Sequence, residues 1–222
     1  MCVGNDNDVD EVVRGKNGIM ESIPEGSIIV DHTTASAKIT VDLYEFCKKT
    51  KNVSFMDAPV SGGVQGAKSG SLTFMVGGDQ KAFEKVKPLF EIMGKKAIYC
   101  GKSGSGQAAK MCNNMILGIS MIGVSEAFTL AEKIGLDFEK LYEVSSNSSG
   151  SCWALNTYSP APGIGPKTPA DNNYEPGFSS DLMLKDLSLA QNAAEQTNSH
   201  TPLGLHAMQI YEELMKEGGQ GK

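Results

Sequence analysis

The chain has 222 residues, of which 40% are hydrophobic, and it is long enough to bury one or two cores. Its net charge of −6 and the scattered placement of its lysines and arginines argue against nucleic-acid binding. The five cysteines never form a CxxC pair, which is typical of reduced thiols rather than disulfides or a zinc site. No apolar run approaches ~20 uninterrupted residues, so no membrane span is predicted. We expect a globular protein of a reducing compartment.

The first half of the chain alternates short β-rich segments with helical patterns. Strands are predicted at 26–31, 53–60, 71–78 and 96–100, and helices at 35–49 and 79–93. Such alternation is typical of a wound α/β sheet. The first residues, MCVGN, resemble the end of a buried strand leading into a helix capped by Asp6 or Asn7. Because such a strand needs neighbours, we expect the first strands of the sheet to be missing.

The strands stop after the first hundred residues, and the second half is predicted to be all-helical. Apolar residues recur at helical spacing from Ala109 to Ile134, and Gly135 then favours a helix end. This helix of roughly 28 residues is apolar on most sides, so we expect it to be buried among other helices. The predicted domains are therefore 1–104 and 105–222. The remaining predicted elements are a loop at 150–177 and helices at 138–146, at 179–196 and after Pro202.

A glycine-rich stretch at 100–115, CGKSGSGQAAKMCNNM, separates the halves and has three interpretations. A Walker-type phosphate loop fails because it requires a glycine where Lys96 stands. The dinucleotide fingerprint matches Gly104, Gly106 and Ala109, but a crossover helix should end within about a dozen residues and return to a strand. We therefore interpret the glycines as a hinge that opens a long helix with Lys110 in its first turns.

Three short stretches are candidates for chemistry, and each has an ordinary structural alternative. Lys110 and Asn114 share one helix face and suit acid–base catalysis, although a snorkelling lysine would look the same. The Ser61-Gly62-Gly63 sequence can bind a carboxylate through backbone N–H groups, or it can be a tight turn between strands. A third lysine, in LMLKDLSLA at 182–190, resembles any surface lysine of a helix.

Taken together, these motifs resemble the β-hydroxyacid dehydrogenase family. The similarity rests on DAPVSGG at 57–63, GSGQAAKMCNN at 104–114 and LMLKDLSLA at 182–190, in this order. Within that family, GSCWALNTYSPAPG at 150–163 is similar to the 3-hydroxyisobutyrate dehydrogenases. The resemblance implies a Rossmann-type domain followed by a helical domain. It also implies NAD-dependent oxidation of a small β-hydroxyacid, 3-hydroxyisobutyrate, to methylmalonate semialdehyde in valine breakdown.

The resemblance assigns roles to the substrate-side residues. The family's catalytic lysine falls on Lys110 and its companion asparagine on Asn114. The loop that holds the substrate carboxylate falls on Ser61, Gly62 and Gly63.

The resemblance also places residues that contact the cofactor. Lys185 of the KDL helix and Thr34 of DHTT match cofactor-contacting positions. Val3 and Gly4 stand where relatives carry Leu-Pro, and Asp8 stands where relatives can carry Asn. The glycine-rich pyrophosphate loop has no counterpart in this sequence, and KEGGQGK ends on glycines directly after a helix. We therefore expect an incomplete Rossmann-type domain, a fragment truncated at both ends that binds NAD weakly or not at all.

Several alternatives remain open at this level. The same motifs serve reductases of tartronate semialdehyde and related short β-hydroxyacids, and some relatives are non-catalytic interaction scaffolds. NADP in place of NAD is not excluded, and no metal is predicted because His32, His200 and His206 do not cluster with other ligand residues. The long apolar helix predicts a homo-oligomer, a dimer or tetramer. The expected location is bacterial cytoplasm or a mitochondrial matrix.

Overall fold

The computed structural model describes residues 1–175 and 177–221. The chain divides into two compact units, Met1–Cys112 and Asn113–Lys222.

The first unit contains a five-stranded sheet and five helices among its described residues. The strands are β1 (Ile28–Asp31), β2 (Ser54–Asp57), β3 (Val60–Ser61), β4 (Leu72–Gly77) and β5 (Gly94–Gly101). The helices are α1 (Asp6–Arg14), α2 (Ile19–Ser22), α3 (Ala37–Lys51), α4 (Gly63–Lys68) and α5 (Gln80–Met93).

The sheet is mixed rather than all parallel. Strand β1 pairs with β2 in parallel and β4 pairs with β5 in parallel, while β4 runs antiparallel to both β2 and β3. The predicted strand 53–60 is divided in two, because Pro59 has no N–H to give to the ladder and its carbonyl accepts from Met75 instead. The division turns the chain sharply at the end of β2. It also separates the buried Asp57 from the exposed bend that follows β3.

The first helix differs from its predicted start. Asn5, and not Asp6 or Asn7, is the N-cap of α1, and its side chain accepts from the N–H groups of Asn7 and Asp8. The residues before it lie alongside β1, since the N–H of His32 donates to the carbonyl of Met1 at 2.9 Å. Two cores fill the unit, one around Leu43 and Phe55 and one around Phe74 and Phe90.

The second unit is helical in all of its described regular structure. Helix α6 (Ser105–Ile134) enters it from the first unit, and four helices and a 3₁₀ turn follow along the chain. They are α7 (Phe138–Ser146), α8 (Trp153–Asn156), the 3₁₀ turn (Pro169–Asn172), α9 (Ser180–Gln196) and α10 (Pro202–Lys216). Met183 and Leu187 of α9 pack against Ala207 and Tyr211 of α10 in the larger core of this unit.

The prediction that α6 is buried among other helices fails for part of its apolar surface in the described chain. Ile116, Leu130 and Ile134 are 60–68% exposed, while Phe128 and Ala131 are buried. By length and composition α6 is also apolar enough to cross a membrane, a criterion that core helices of soluble proteins meet as well. Much of its apolar surface is therefore left for something other than the core of one chain.

Candidate functional site

Lys110 lies beside the Ser61-Gly62-Gly63 bend. Its side chain is buried, with 6% exposure, on the second turn of α6. The ammonium nitrogen Nζ donates to the carbonyl of Val60 at 2.9 Å, and Val60 directly precedes Ser61. A lysine on a freely snorkelling stem would hold its charged end in water. This one instead directs it at the backbone of the bend.

The bend itself starts a short helix rather than linking two strands directly. Gly62 has φ +128° and Gly63 has φ +59°, and these left-handed values suit glycine. Gly62 is the N-cap of α4, and no side chain caps that helix start. Both glycines are exposed and Ser61 is half-buried. The N–H groups of a helix start and a neighbouring hydroxyl are together suited to a small carboxylate.

The start of α6, which is also rich in glycine, is capped by a carboxylate from the protein's own chain. The carboxylate of Asp57 accepts from the N–H of Gly104 at 2.9 Å and from the N–H of Gln107 at 3.0 Å. A side chain at Gly106 would come within 2.8 Å of the same carboxylate. Burial raises the pKa of Asp57, and the hydrogen bonds from the helix start oppose that rise. The sequence match to the dinucleotide fingerprint therefore marks an internal helix cap, and α6 runs on to Ile134 without returning to a strand.

Four residues predicted on the cofactor side lie at the carboxyl end of β1. Thr34 is half-buried, three residues after that strand ends. The N–H of Val3 donates to the hydroxyl of Thr33 at 2.9 Å, which holds the first residues against the Thr34 segment. The N–H of Gly4 donates to the carboxylate of Asp8 at 3.2 Å. The carboxyl ends of parallel strands are where open α/β sheets bind nucleotides.

In the second unit, Asn114 is fully buried and its carboxamide is held at both ends. Its Nδ2 donates to Asp186 at 2.5 Å, and its Oδ1 accepts from Asn113 at 2.9 Å. A side chain fixed in this way can present its second N–H in one direction only. Lys185, half-buried on α9, directly precedes Asp186.

Asp186 is the residue that the sequence interpretation overlooked. It is 2% exposed and lies on the buried face of α9 with Met183, Leu187 and Ala190. A carboxylate in an apolar i, i+3, i+4 stripe needs a polar partner, and this signal was present in LMLKDLSLA. The family motif assigns a role to the adjacent Lys185, and the sequence interpretation therefore gave none to Asp186.

The predicted residues fall into two groups, one in each unit. The first unit contains Ser61, Gly62, Gly63, Lys110 and the four residues near β1. The second contains Asn114 and Lys185. Lys110 and Asn114 are four residues apart on the continuous helix α6. Across residues 1–175 and 177–221, no three His, Cys, Asp or Glu side chains form a group that could hold a metal ion.

Comparison with known proteins connects both groups to one family. Residues 104–222 match the family model described as the NAD-binding domain of NADP-dependent 3-hydroxyisobutyrate dehydrogenase, and residues 1–101 match the NAD-binding domain of 6-phosphogluconate dehydrogenase. A probable 3-hydroxyisobutyrate dehydrogenase of Mycobacterium bovis is 43% identical over 90% of this chain and 68% of its own length. The chain belongs to the 3-hydroxyisobutyrate dehydrogenase family.

Other members of the 3-hydroxyisobutyrate dehydrogenase family agree with this placement. The mouse mitochondrial enzyme is 46% identical over 94% of this chain, and the chain spans 62% of that relative's length. The solved structure of the Mycobacterium tuberculosis 3-hydroxyisobutyrate dehydrogenase with L-serine aligns with a TM-score of 0.90 and 38% identity, over 99% of this chain and 74% of that one.

The family placement confirms three predictions from the sequence. The resemblance to β-hydroxyacid dehydrogenases of the hydroxyisobutyrate type is confirmed by the relatives and by the matched domain. The fold class, a Rossmann-type α/β domain followed by a helical domain, is confirmed by the matched models and the aligned structure. Both matched models describe NAD-binding domains, which is the predicted class of cofactor.

Proposed function

We propose that this protein oxidises 3-hydroxyisobutyrate to methylmalonate semialdehyde with NAD, a step of valine breakdown. The observation that supports it most strongly is the 2.9 Å contact between Lys110 and the backbone next to the Ser61-Gly62-Gly63 bend. That contact brings a buried amine beside exposed N–H groups suited to a carboxylate. A β-hydroxyacid carries a carboxylate and a hydroxyl two carbons apart, so it can reach both.

The roles in catalysis follow from the chemistry of each group. Ser61 and the N–H groups of Gly62 and Gly63 bind the carboxylate of the substrate. Lys110 acts as a neutral amine, which keeps one N–H on Val60 and uses its lone pair to accept the hydroxyl proton. In the second unit, the family resemblance gives Asn114, whose carboxamide is held by Asp186, the role of orienting the substrate hydroxyl. A nicotinamide held near Thr34 would supply the acceptor for the hydride of the hydroxyl carbon.

The residues near β1 fit the nicotinamide half of the cofactor. Thr34, Val3 and Gly4 gather at the carboxyl end of a parallel strand, with their backbone close to the surface. We also assign cofactor contacts to Asp8 and, in the second unit, to Lys185. The glycine-rich start of α6 does not fit the pyrophosphate half, because the carboxylate of Asp57 occupies its N–H groups.

From this misfit we propose that the 222 residues bind dinucleotide weakly. A pyrophosphate without a helix start loses both backbone hydrogen bonds and the favourable helix dipole. Titration of NADH into the chain, followed by nicotinamide fluorescence, measures the affinity directly. We expect a dissociation constant well above the micromolar range. A micromolar value would show that the residues present suffice for the whole cofactor.

Turnover is the test of the proposed reaction. At millimolar NAD, the 222-residue chain should form NADH from 3-hydroxyisobutyrate faster than from L-serine, 3-hydroxypropionate or glycerate. The relative solved with L-serine, itself a β-hydroxyacid, makes serine the informative competitor. A preference for glycerate would favour the alternative, a tartronate semialdehyde reductase or another short β-hydroxyacid reductase. Absence of NADH with every acid, at NAD concentrations where binding is measured, would contradict the proposal.

We also propose that the protein is a homo-oligomer. Ile116, Leu130 and Ile134 expose apolar surface along α6, and a second copy of the chain is a suitable cover for it. Light scattering should give a mass of at least two chains, whereas a monomer at all concentrations would contradict this. Mitochondrial and bacterial proteins both occur among the relatives, and the proposed compartment is a mitochondrial matrix or bacterial cytoplasm.

A further inference from the structure

Gln107 is a buried, highly connected polar side chain of the first unit that the proposed mechanism does not use. It lies one helical turn before Lys110 and has 0% exposure. Its Nε2 donates to the carbonyl of Thr33 at 2.7 Å, and its Oε1 accepts from the N–H of Ala35 at 3.1 Å. Thr33 and Ala35 flank Thr34. One carboxamide therefore holds the backbone on both sides of the proposed nicotinamide contact.

The backbone N–H of Gln107 connects this residue to the segment that leads to the substrate side. Its N–H donates to the carboxylate of Asp57 at 3.0 Å, and Asp57 ends the strand that leads to the Ser61 bend. Lys110, one turn further along α6, donates to the carbonyl of Val60 and so connects the helix to the bend. Three segments are thus joined around Gln107: the Thr34 segment, the approach to the bend and the first turns of α6.

We propose that Gln107 is a positioning residue that fixes the distance between Lys110 and the Thr34 segment. This inference rests on the proposed function, because it gives that distance a catalytic meaning. Lys110, as proton acceptor, and the Thr34 segment, which would hold a nicotinamide as hydride acceptor, serve one substrate carbon and its hydroxyl. Their relative placement must hold to a fraction of an ångström, and misplacement by about 1 Å costs up to a hundredfold in rate. The bend, which binds the carboxylate, does not depend on the carboxamide.

The carboxamide needs one donor and one acceptor, and this requirement separates two variants. Gln107→Met keeps the length of the side chain but removes both groups. Gln107→Glu presents two acceptors when ionised and one donor with one acceptor when protonated, so its neutral form reproduces both contacts of the glutamine. Burial favours the neutral form of a glutamate.

Steady-state kinetics of the 222-residue chain test the proposal, with Gln80→Met, an exposed glutamine of α5, as the matched control. We expect Gln107→Met to lower kcat roughly tenfold to a hundredfold while KM for the hydroxyacid changes by less than about threefold. Gln107→Glu should recover toward wild-type kcat as the pH falls from about 8 to 6, and Gln107→Met should not. Asp31 and Asp57 face this region and are present in all the variants, so the ratio between variants isolates position 107.

Amide hydrogen exchange supplies a readout that does not depend on turnover. The N–H of Ala35 should exchange faster in Gln107→Met than in wild type, with thermal unfolding used to verify that the variants are folded. The positioning role is overturned if wild type turns over and both variants keep kcat within about twofold. It is also overturned if kcat falls and KM rises to a similar extent. If wild type forms no NADH from any β-hydroxyacid, the proposed function fails. Unchanged exchange at Ala35 would overturn the contact itself.

Discussion

Two glycine-rich helix starts in the first unit look alike in sequence and differ in what they bind. The start of α6, with Gly104 and Gly106, is buried and directs its N–H groups at Asp57. The start of α4, with Gly62 and Gly63, is exposed and has no side-chain cap. Both offer backbone donors and positive charge from the helix dipole. Only at α4 is that site accessible to a ligand.

The comparison teaches that glycine spacing alone does not identify an anion site. What decides is whether the protein supplies the anion from its own chain. At α6 a buried carboxylate does so, and the glycines then serve close packing, as the contact of Gly106 with Asp57 requires. At α4 the preceding residue, Val60, accepts a hydrogen bond from the amine of Lys110, a donor and a base. Substrate binding and catalysis are therefore expected at the start of α4, with Gly62 and Gly63, rather than at the start of α6.

The largest expected effect comes from the amine beside the α4 start. Lys110→Met should lower kcat by roughly 10²–10⁴-fold with little change in NADH affinity, because it removes the proton acceptor and no cofactor contact. Lys102→Met, at an exposed lysine just before α6, is the matched control and should leave turnover unchanged. Near-normal turnover of Lys110→Met would remove the lysine from catalysis.

The carboxylate at the α6 start should matter for stability. Asp57→Asn places an NH₂ group against a backbone N–H in a site with 0% exposure, so unfolding should become about 2–3 kcal/mol easier. The same change at Asp137, the exposed cap of α7, should cost only a few tenths, since Asn caps helices about as well as Asp. Urea unfolding measures both. Equal costs would mean that the α6 start does not depend on its internal anion.

A smaller effect should distinguish the two starts by substrate binding. Ser61→Ala removes one hydrogen bond to the substrate carboxylate and should raise KM for 3-hydroxyisobutyrate about tenfold, with kcat nearly unchanged. Ser105→Ala, between the glycines of the α6 start, should leave KM as it is. The reverse pattern in steady-state kinetics would move the carboxylate site from α4 to α6.

The smallest effect is expected in the core around Leu43 and Phe55, which contains Cys47. Burial raises the pKa of Cys47 from 9.0 to about 11, so the folded state holds this proton while the unfolded state releases it. The resulting stability is complete below pH 9 and is lost as the pH rises through 11. Near pH 10 the loss is about 1 kcal/mol. In Cys47→Val this part of the alkaline decline should vanish, as measured by urea unfolding at several pH values, and an identical decline would refute the burial effect.

The sequence predicted those parts of the site that depend on local spacing. Alternating apolar segments identified the α/β unit, and the length of the pattern after Gly106 excluded a crossover helix. The nearness of Lys110 to the bend followed from a motif resemblance and is matched by the contact with Val60. The roles of these residues remain predictions.

Features that depend on tertiary contacts were not predictable in this way. Helix α4 is only six residues long and is rich in glycine, so it has no helical periodicity to detect. Asp57 and Gln107 are fifty residues apart and meet only because β2 ends where α6 begins. Ile116 is exposed although its apolar side chain predicted burial. A hydrophobic pattern indicates that a surface is to be covered, but it does not indicate which chain covers it.

The most direct test of the account is the site at which a β-hydroxyacid binds to the 222-residue chain. Titration with 3-hydroxyisobutyrate, followed by backbone amide NMR, reports on both helix starts in one experiment. The account predicts saturable shifts at Gly62 and Gly63, with Gly104 and Gly106 unmoved. Shifts centred on Gly104 and Gly106, with the bend silent, would contradict it.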